Sequence, residues 1–236
     1  MHGLEPALAQ ARMVADGIAG LSPAVRVAIC PAATLISRLA AALEGAPIEV
    51  GAQDCHAEAT GAFTGDISAE MLADAGARLV ILGHSERRGG HGETDDQVAA
   101  KVSAALRGGL EPIVCVGETL ARRQAGQAVA TVDAQLRGSL PSTLAGRPFA
   151  VAYEPIWAIG SGLTPTLTEI DQVHSAIRAT LADLFGAQGA QATILYGGSV
   201  KPANAGEILA RPEVNGALVG GASLAATDFL AIIAAA

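Results

Sequence analysis

Aromatic residues are scarce in this chain. Trp, Tyr and Phe together make up 3% of 236 residues, and position 157 holds the single tryptophan. So few aromatic faces exclude extended stacking on a nucleic acid, and a formal net charge of −8 argues further against a phosphate-backbone partner. Cysteine is sparse too. Cys30, Cys55 and Cys115 give no even disulfide framework. Cys30 and Cys115 each sit in an apolar run, where a thiol behaves as a small buried hydrophobe. Cys55 and His56 are adjacent, but no partners follow at ligand spacing, so no metal is expected. No uncharged apolar run reaches the roughly 18 residues that cross a bilayer. The chain also does not open with a basic stretch followed by an apolar one. These absences point to a cytoplasmic protein with no membrane partner.

Half of the residues are apolar, enough for a large core. They gather in short runs: VRVAIC (25–30), IEVGAQ (48–53), ARLVILG (77–83), EPIVCVG (111–117), FAVAYEP (149–155), ATILYGG (192–198) and GALVGG (216–221). Most lack strict polar alternation, which suits strands covered on both faces, as in a parallel sheet. Helical patterns separate them. Leu4, Leu8, Ala11, Ala15 and Ile18 recur at helical spacing, and further helices are predicted over 68–77, 95–109, 127–140 and 169–186. Thr166 and Glu169 are spaced as a capping box, and Gly108-Gly109 and Gly186 read as helix stops. With a short tail from about residue 223, eight helical segments face only seven strands.

A closed eight-fold barrel needs a strand before its first helix. Met1-His2-Gly3 leaves no room for one. An open doubly wound sheet tolerates seven strands, but its glycine-rich fingerprint after the first strand is missing. The expected fold is therefore α/β, a TIM (β/α)8 barrel whose first strand is absent from this sequence, through a late-assigned start or a deletion. No repeat or linker divides the chain, so residues 1–236 are expected to form one domain.

Three clusters carry candidate chemistry. Glu154 ends an apolar strand, and the C-terminal strand ends of a parallel barrel form its active-site face. A carboxylate among apolar groups makes a better base. Pro155, Trp157, Ile159, Gly160 and Gly162 then read as a hinged lid; the alternative is a strand-end turn with a structural carboxylate. His84 also follows a strand, and a helix N-terminus nearby would keep its imidazole neutral, as a hydrogen-bond donor. Ser85 follows it, and Glu86 and Arg88 are expected to form a supporting ion pair; the alternative is a capped strand end with solvated charges. Lastly, YGGSV (196–200) and VGGAS (219–223) place glycine pairs at two consecutive strand ends, where main-chain N–H groups can hold a phosphate. Neither a serine-hydrolase elbow nor a P-loop is present.

GHSERR, AYEPIWAIGSG, YGGSV and VGGASL, in this order, resemble the triosephosphate isomerase family, supported by GAQD (51–54), GAFTGDIS (61–68) and CVGE (115–118). The resemblance runs essentially the length of the chain. It implies a homodimeric barrel, free of cofactor and metal, that interconverts dihydroxyacetone phosphate and D-glyceraldehyde 3-phosphate. It implies Glu154 as the base that shuttles a carbon-bound proton and His84 as the group that polarises the carbonyl. Gly160, Ser199, Gly220 and Gly221 would bind phosphate, and Thr64 would lie in a loop that reaches the partner subunit. The resemblance also implies a neutral histidine and a lid that excludes water, both known traits of that family.

The front departs from the family. Met1-His2-Gly3 matches only the end of an Asn-Trp-Lys-Met-Asn-Gly-like opening, so the substrate-binding Asn and the catalytic Lys are not present. Lys101 and Lys201 are the only lysines, and neither is placed to substitute. Loss of a preorganised charge partner costs about 3–5 kcal/mol. The 236-residue chain is therefore expected to be poorly stable and weakly active. Two other readings stay open at this point. An aldolase or related sugar-phosphate barrel would want a Schiff-base lysine at a strand end, and none of the seven runs carries one. A silent barrel used for binding or assembly fits the missing lysine but not the retained His84, Glu154 and lid.

Overall fold

The computed structural model describes residues 2–18, 20–21, 25–161 and 163–236. Helices and strands alternate along it: α1 (Pro6–Ile18), β1 (Ala28–Ile29), α2 (Ile36–Ala42), β2 (Glu49–Ala52), α3 (Ala69–Asp74), β3 (Leu79–Leu82), α4 (Ser85–Gly90), α5 (Asp95–Arg107) and β4 (Glu111–Val116). Then come α6 (Leu120–Gln124), α7 (Ala128–Ser139), β5 (Ala150–Tyr153), α8 (Leu167–Phe185), β6 (Thr193–Tyr196), α9 (Ala205–Leu209), β7 (Gly216–Ala217) and α10 (Ala226–Ile233). All seven predicted strands form. They pair in parallel, in chain order, from β1 to β7.

Helix ends follow the sequence signals. Thr166 and Glu169 make a reciprocal capping box on α8, Thr94 and Gln97 make another on α5, and Gly108 and Gly186 stand at the C-caps of α5 and α8. Two short helices were not legible. α4 and α6 open directly after β3 and β4, where SERRGG and LARRQ are too short to show a helical period.

The strand period of two splits the core into two layers. Leu79, Ile81, Ile113, Cys115, Ala150 and Ala152 pack together inside the curled sheet. Val80, Leu82, Val114, Val116, Val151, Tyr153, Ile194 and Tyr196 face the helices. Both sides of the central strands are therefore apolar, which explains why their sequences run without polar alternation.

The sheet is an open, curled half-barrel. Among the described residues β1 and β7 pair with each other nowhere, and each is only two residues long although the apolar runs at 25–30 and 216–221 are longer. A strand flanked on one side loses half its ladder bonds, so the edges shorten. The helical layer, by contrast, closes over this gap, because α1 packs on both α2 and α10. Gly17 of α1 lies so close to α10 that a Cβ there would sit 2.4 Å from Leu230 Cδ1. Gln10 Oε1 accepts the N–H of Ala226 at 2.8 Å, capping the start of α10. The expected consequence is uneven protection. Amides of β1 and β7 should exchange with solvent about 100-fold or more faster than Val114 and Ala152 in the central strands. Hydrogen exchange read by NMR checks this; equal protection across the sheet would mean that the edges are covered.

Candidate active site

Alternation along β5 turns Ala150 and Ala152 into the barrel, and the next inward position is Glu154. Its side chain is 2% exposed. The neighbouring strand ends present glycine at the same level. A Cβ at Gly197, after β6, would lie 3.0 Å from Glu154 Cγ, and one at Gly117, after β4, would lie 1.8 Å from the Glu154 carbonyl oxygen. Glycine on both sides therefore leaves room for one carboxylate at the mouth.

Gly83, with φ of +66°, turns the chain out of β3, and His84 caps α4. Its Nδ1 accepts the N–H of Glu86 at 3.3 Å. A ring nitrogen that accepts carries no proton, so the imidazole proton sits on Nε2. That atom lies 3.0 Å from Glu154 Oε1. Ser85 adds two further donors: its N–H reaches Glu154 Oε2 and its hydroxyl reaches Oε1, each at 2.9 Å. The sequence-predicted pair of His84 and Glu154 thus shares one mouth, with Ser85 between them.

The expected ion pair between Glu86 and Arg88 does not form. Residues two apart on a helix point to different sides. Glu86 is exposed and makes no ion pair among the described residues. Arg88 points inward: it bonds Asp95 at 2.5 Å, the carbonyls of Gly83 and Cys115 at 2.8 and 3.3 Å, and the Ser139 hydroxyl at 2.9 Å. It ties the ends of β3 and β4 to α5 and α7.

The lid segment starts at Pro155 and a single 3-10 turn, Ile156–Ala158. Gly160 has φ of +67° and is exposed; Gly162 lies outside the described residues. Trp157 Nε1 donates to Glu118 Oε1 at 2.9 Å, an oxygen that Arg123 and the Tyr153 hydroxyl also reach, at 2.7 and 3.1 Å. Arg123 also lies 5.7 Å from the Trp157 ring centre. This anchor was missed in the sequence. CVGE showed a carboxylate just after a strand, as at Glu154, but the period of two sends Glu118 outward to the helices. Ser199 follows β6, with its carbonyl held by Asn204 at 3.0 Å. Gly220 and Gly221 follow β7 and are exposed at the start of a 3-10 turn. All these glycines and Ser199 sit at C-terminal strand ends. Thr64 is exposed on the loop 57–67, whose base is pinned by the bridge between His56 and Ser68.

A sequence model of triosephosphate isomerase matches residues 4–236. The chain belongs to the triosephosphate isomerase family. The triosephosphate isomerase of Caulobacter vibrioides is 62% identical over 235 residues, an alignment covering 100% of this chain and 93% of the relative. That of Afipia carboxidovorans is 56% identical over 232 residues, covering 98% and 92%. The crystal structure of triosephosphate isomerase from Bartonella henselae superposes with a TM-score of 0.93 at 45% identity, over 100% of this chain and 94% of that one.

Within this isomerase fold Lys101 is committed elsewhere. It is buried between Asp54, at 2.8 Å, and Glu93, with Arg87 completing the cluster. Burial acts on both carboxyls. It prevails at Asp54, which is pushed up, and is outweighed at Glu93, which Lys101 and Arg87 hold below the usual range. All three thiols are also shaped by burial, which pushes Cys30 up to about 12. Burial likewise pushes Cys55 up to about 12, and it carries Cys115 well above its ordinary value, helped by the Glu154 carboxylate beside it. Only a thiolate alkylates readily. At pH 8 Cys55 and Cys115 should react with iodoacetamide about a thousandfold more slowly in the native chain than after denaturation. Mass spectrometry of timed samples reads this, and native labelling of either at the free-thiol rate would contradict it.

Proposed function

We propose that this chain interconverts dihydroxyacetone phosphate and D-glyceraldehyde 3-phosphate through an enediol or enediolate, with Glu154 as base and His84 as electrophile. The single observation that carries this reading is the 3.0 Å approach of His84 Nε2 to Glu154 Oε1 at one inward-facing mouth. A proton donor for an oxygen and a proton acceptor for a carbon stand side by side there. Substrate displaces the mutual contact. Glu154 leaves Ser85 and takes a proton from the carbon next to the carbonyl, while His84 Nε2–H stabilises the charge that develops on the oxygen. The hydroxyl proton passes from one substrate oxygen to the other by way of His84 Nε2, and return of the carbon-bound proton to the adjacent carbon completes the isomerisation, with no net redox change. Backbone N–H groups of Gly160, Ser199, Gly220 and Gly221 hold the phosphate, and closure of the lid excludes water. No cofactor takes part in these steps.

The mouth lacks a lysine among the described residues, since Lys101 is held in its carboxylate cluster and Lys201 is exposed in the loop after β6. Phosphate and enediolate charge then rest on neutral donors, which weakens stabilisation of the transition state. A coupled assay on pure 236-residue protein tests the reading. Turnover should be measurable but low, Glu154→Gln should lower kcat by about a thousandfold, and His84→Gln by about a hundredfold or more. A Glu154→Gln variant with wild-type turnover would contradict Glu154 as the base, whereas no turnover together with no exchange of substrate-carbon hydrogen with solvent would favour a silent binding barrel.

The protein acts, on this reading, as one cytoplasmic domain over residues 1–236 and as a homodimer. Loop 57–67 offers exposed Thr64 and 42%-exposed Phe63, and Met71 nearby is 56% exposed. Burying such groups against a second copy removes apolar surface from water. Sedimentation at micromolar concentration should give a dimer, and Phe63→Asp should shift it to monomer; a wild-type chain that sediments as a monomer contradicts the proposal.

A further inference from the structure

We propose that Gln135 is a positioning residue for Glu154 and the lid hinge, acting through the peptide backbone of Gly117. The inference rests on the reading of Glu154 as the base. Gln135 lies half-buried on α7, and its amide makes two bonds to one residue. Gly117 N–H donates to Gln135 Oε1 at 2.7 Å, and Gln135 Nε2 donates to the Gly117 carbonyl at 3.0 Å. One side chain thus satisfies both main-chain groups of a buried glycine, as a neighbouring strand would.

Residues 116–118 form a template along which residues 154–157 lie. Glu154 N–H donates to the Val116 carbonyl at 2.8 Å, and Ile156 N–H donates to the Glu118 carbonyl at 3.2 Å. Trp157 Nε1 donates to the Glu118 carboxylate at 2.9 Å. Between these contacts, Gly117 lies directly against the Glu154 main chain, where a Cβ would come within 1.8 Å of its carbonyl oxygen. Each template residue is fixed differently. Val116 is held in the ladder between β4 and β5, and Glu118 by Arg123, Tyr153 and Trp157. Among the described residues, the polar groups of Gly117 are bonded by Gln135 alone.

Glycine is the residue least able to hold its own dihedrals. Without the clasp, both its buried polar groups lose their partner, and the peptide turns to recover one. That movement is transmitted at van der Waals contact to Glu154, and through Glu118 to Trp157. A displacement of about 1 Å at a reacting group costs up to a hundredfold in rate. The phosphate contacts of Ser199, Gly220 and Gly221 lie on other strand ends and are unaffected, so only the contact from Gly160 on the lid moves with the hinge.

The tests use Gln135→Met, which keeps the length without the amide, and Gln135→Glu, which keeps the acceptor for Gly117 N–H and loses the donor. In Gln135→Met, kcat should fall about tenfold to a hundredfold, with KM rising by no more than about fivefold. Gln135→Glu should be intermediate, because its carboxylate still accepts from the Gly117 N–H but no longer donates to the Gly117 carbonyl. Trp157 is the only tryptophan, so its emission reports on the hinge without labelling. Gln135→Met should shift that emission and raise acrylamide quenching well below its melting temperature. A folded Gln135→Met with wild-type kcat and unchanged emission overturns the proposal. On the unmodified chain, the Gly117 amide should be protected from exchange; exchange at the rate of an unstructured peptide overturns it without any variant. A chain without isomerase turnover would remove the reading of Glu154 as base, while the emission and exchange measurements would still decide whether Gln135 positions the hinge.

Discussion

A two-residue period sets the direction of Glu154, and the rest of the site depends on that direction. β5 alternates between the interior and the helices, so the first residue beyond it points into the mouth. The carboxylate there meets three donors, two from Ser85 and one from His84. A buried carboxylate without such partners would be costly. The donors come from the turn after β3, which adjoins β4 and not β5 itself. Reach across β4 is possible because Gly117, without a side chain, follows β4 there. The buried carboxylate and the imidazole that touches it are thus consequences of parity, one strand order and glycines at matched height.

Charge is handled the same way around the strand ends. Each buried carboxylate is met by several donors, some from the next element and some from elements distant in sequence. Glu118, fully buried, takes bonds from Arg123 on α6, Tyr153 on β5 and Trp157 on the lid. Glu93 and Asp54 share Lys101, and Arg88 joins two strand ends to two helices. Such networks gain little net energy over apolar packing, but breaking one partner leaves a buried charge uncompensated. Their use here is geometric: they hold strand ends in register where the ladder has already stopped.

Much of this was legible in the sequence. The seven apolar runs became the seven strands, because burial on both faces leaves an unmistakable composition. The capping box at Thr166 and Glu169 formed as spaced, since it is local. Glu154 and His84 stood out as candidates because each lies just past a strand, and the two side chains meet. What failed was pairing between elements. Glu86 and Arg88 are neighbours in sequence yet point apart, and Arg88 finds Ser139, 51 residues away. Glu118 looked like a twin of Glu154 and faces the opposite way. Gln135 carries no motif at all; its meaning arises only when α7 lies behind the end of β4. Strand lengths at the edges were also overestimated, because a run of apolar residues does not reveal whether a neighbour is there to pair with it.

The bond from Ala226 to Gln10 joins residues 216 apart, nearly the full length of the polypeptide. Neighbouring strands and helices can assemble as they emerge during synthesis, since each contacts the element just made. The ring of helices cannot. Its last seam waits until α10 has been made, and the bond that closes it spans more of the sequence than any other side-chain hydrogen bond among the described residues. Shortening the polypeptide by even its last helix would therefore leave α1 without the surface that Gly17 is shaped to meet, and both termini would be lost to the packed shell at once.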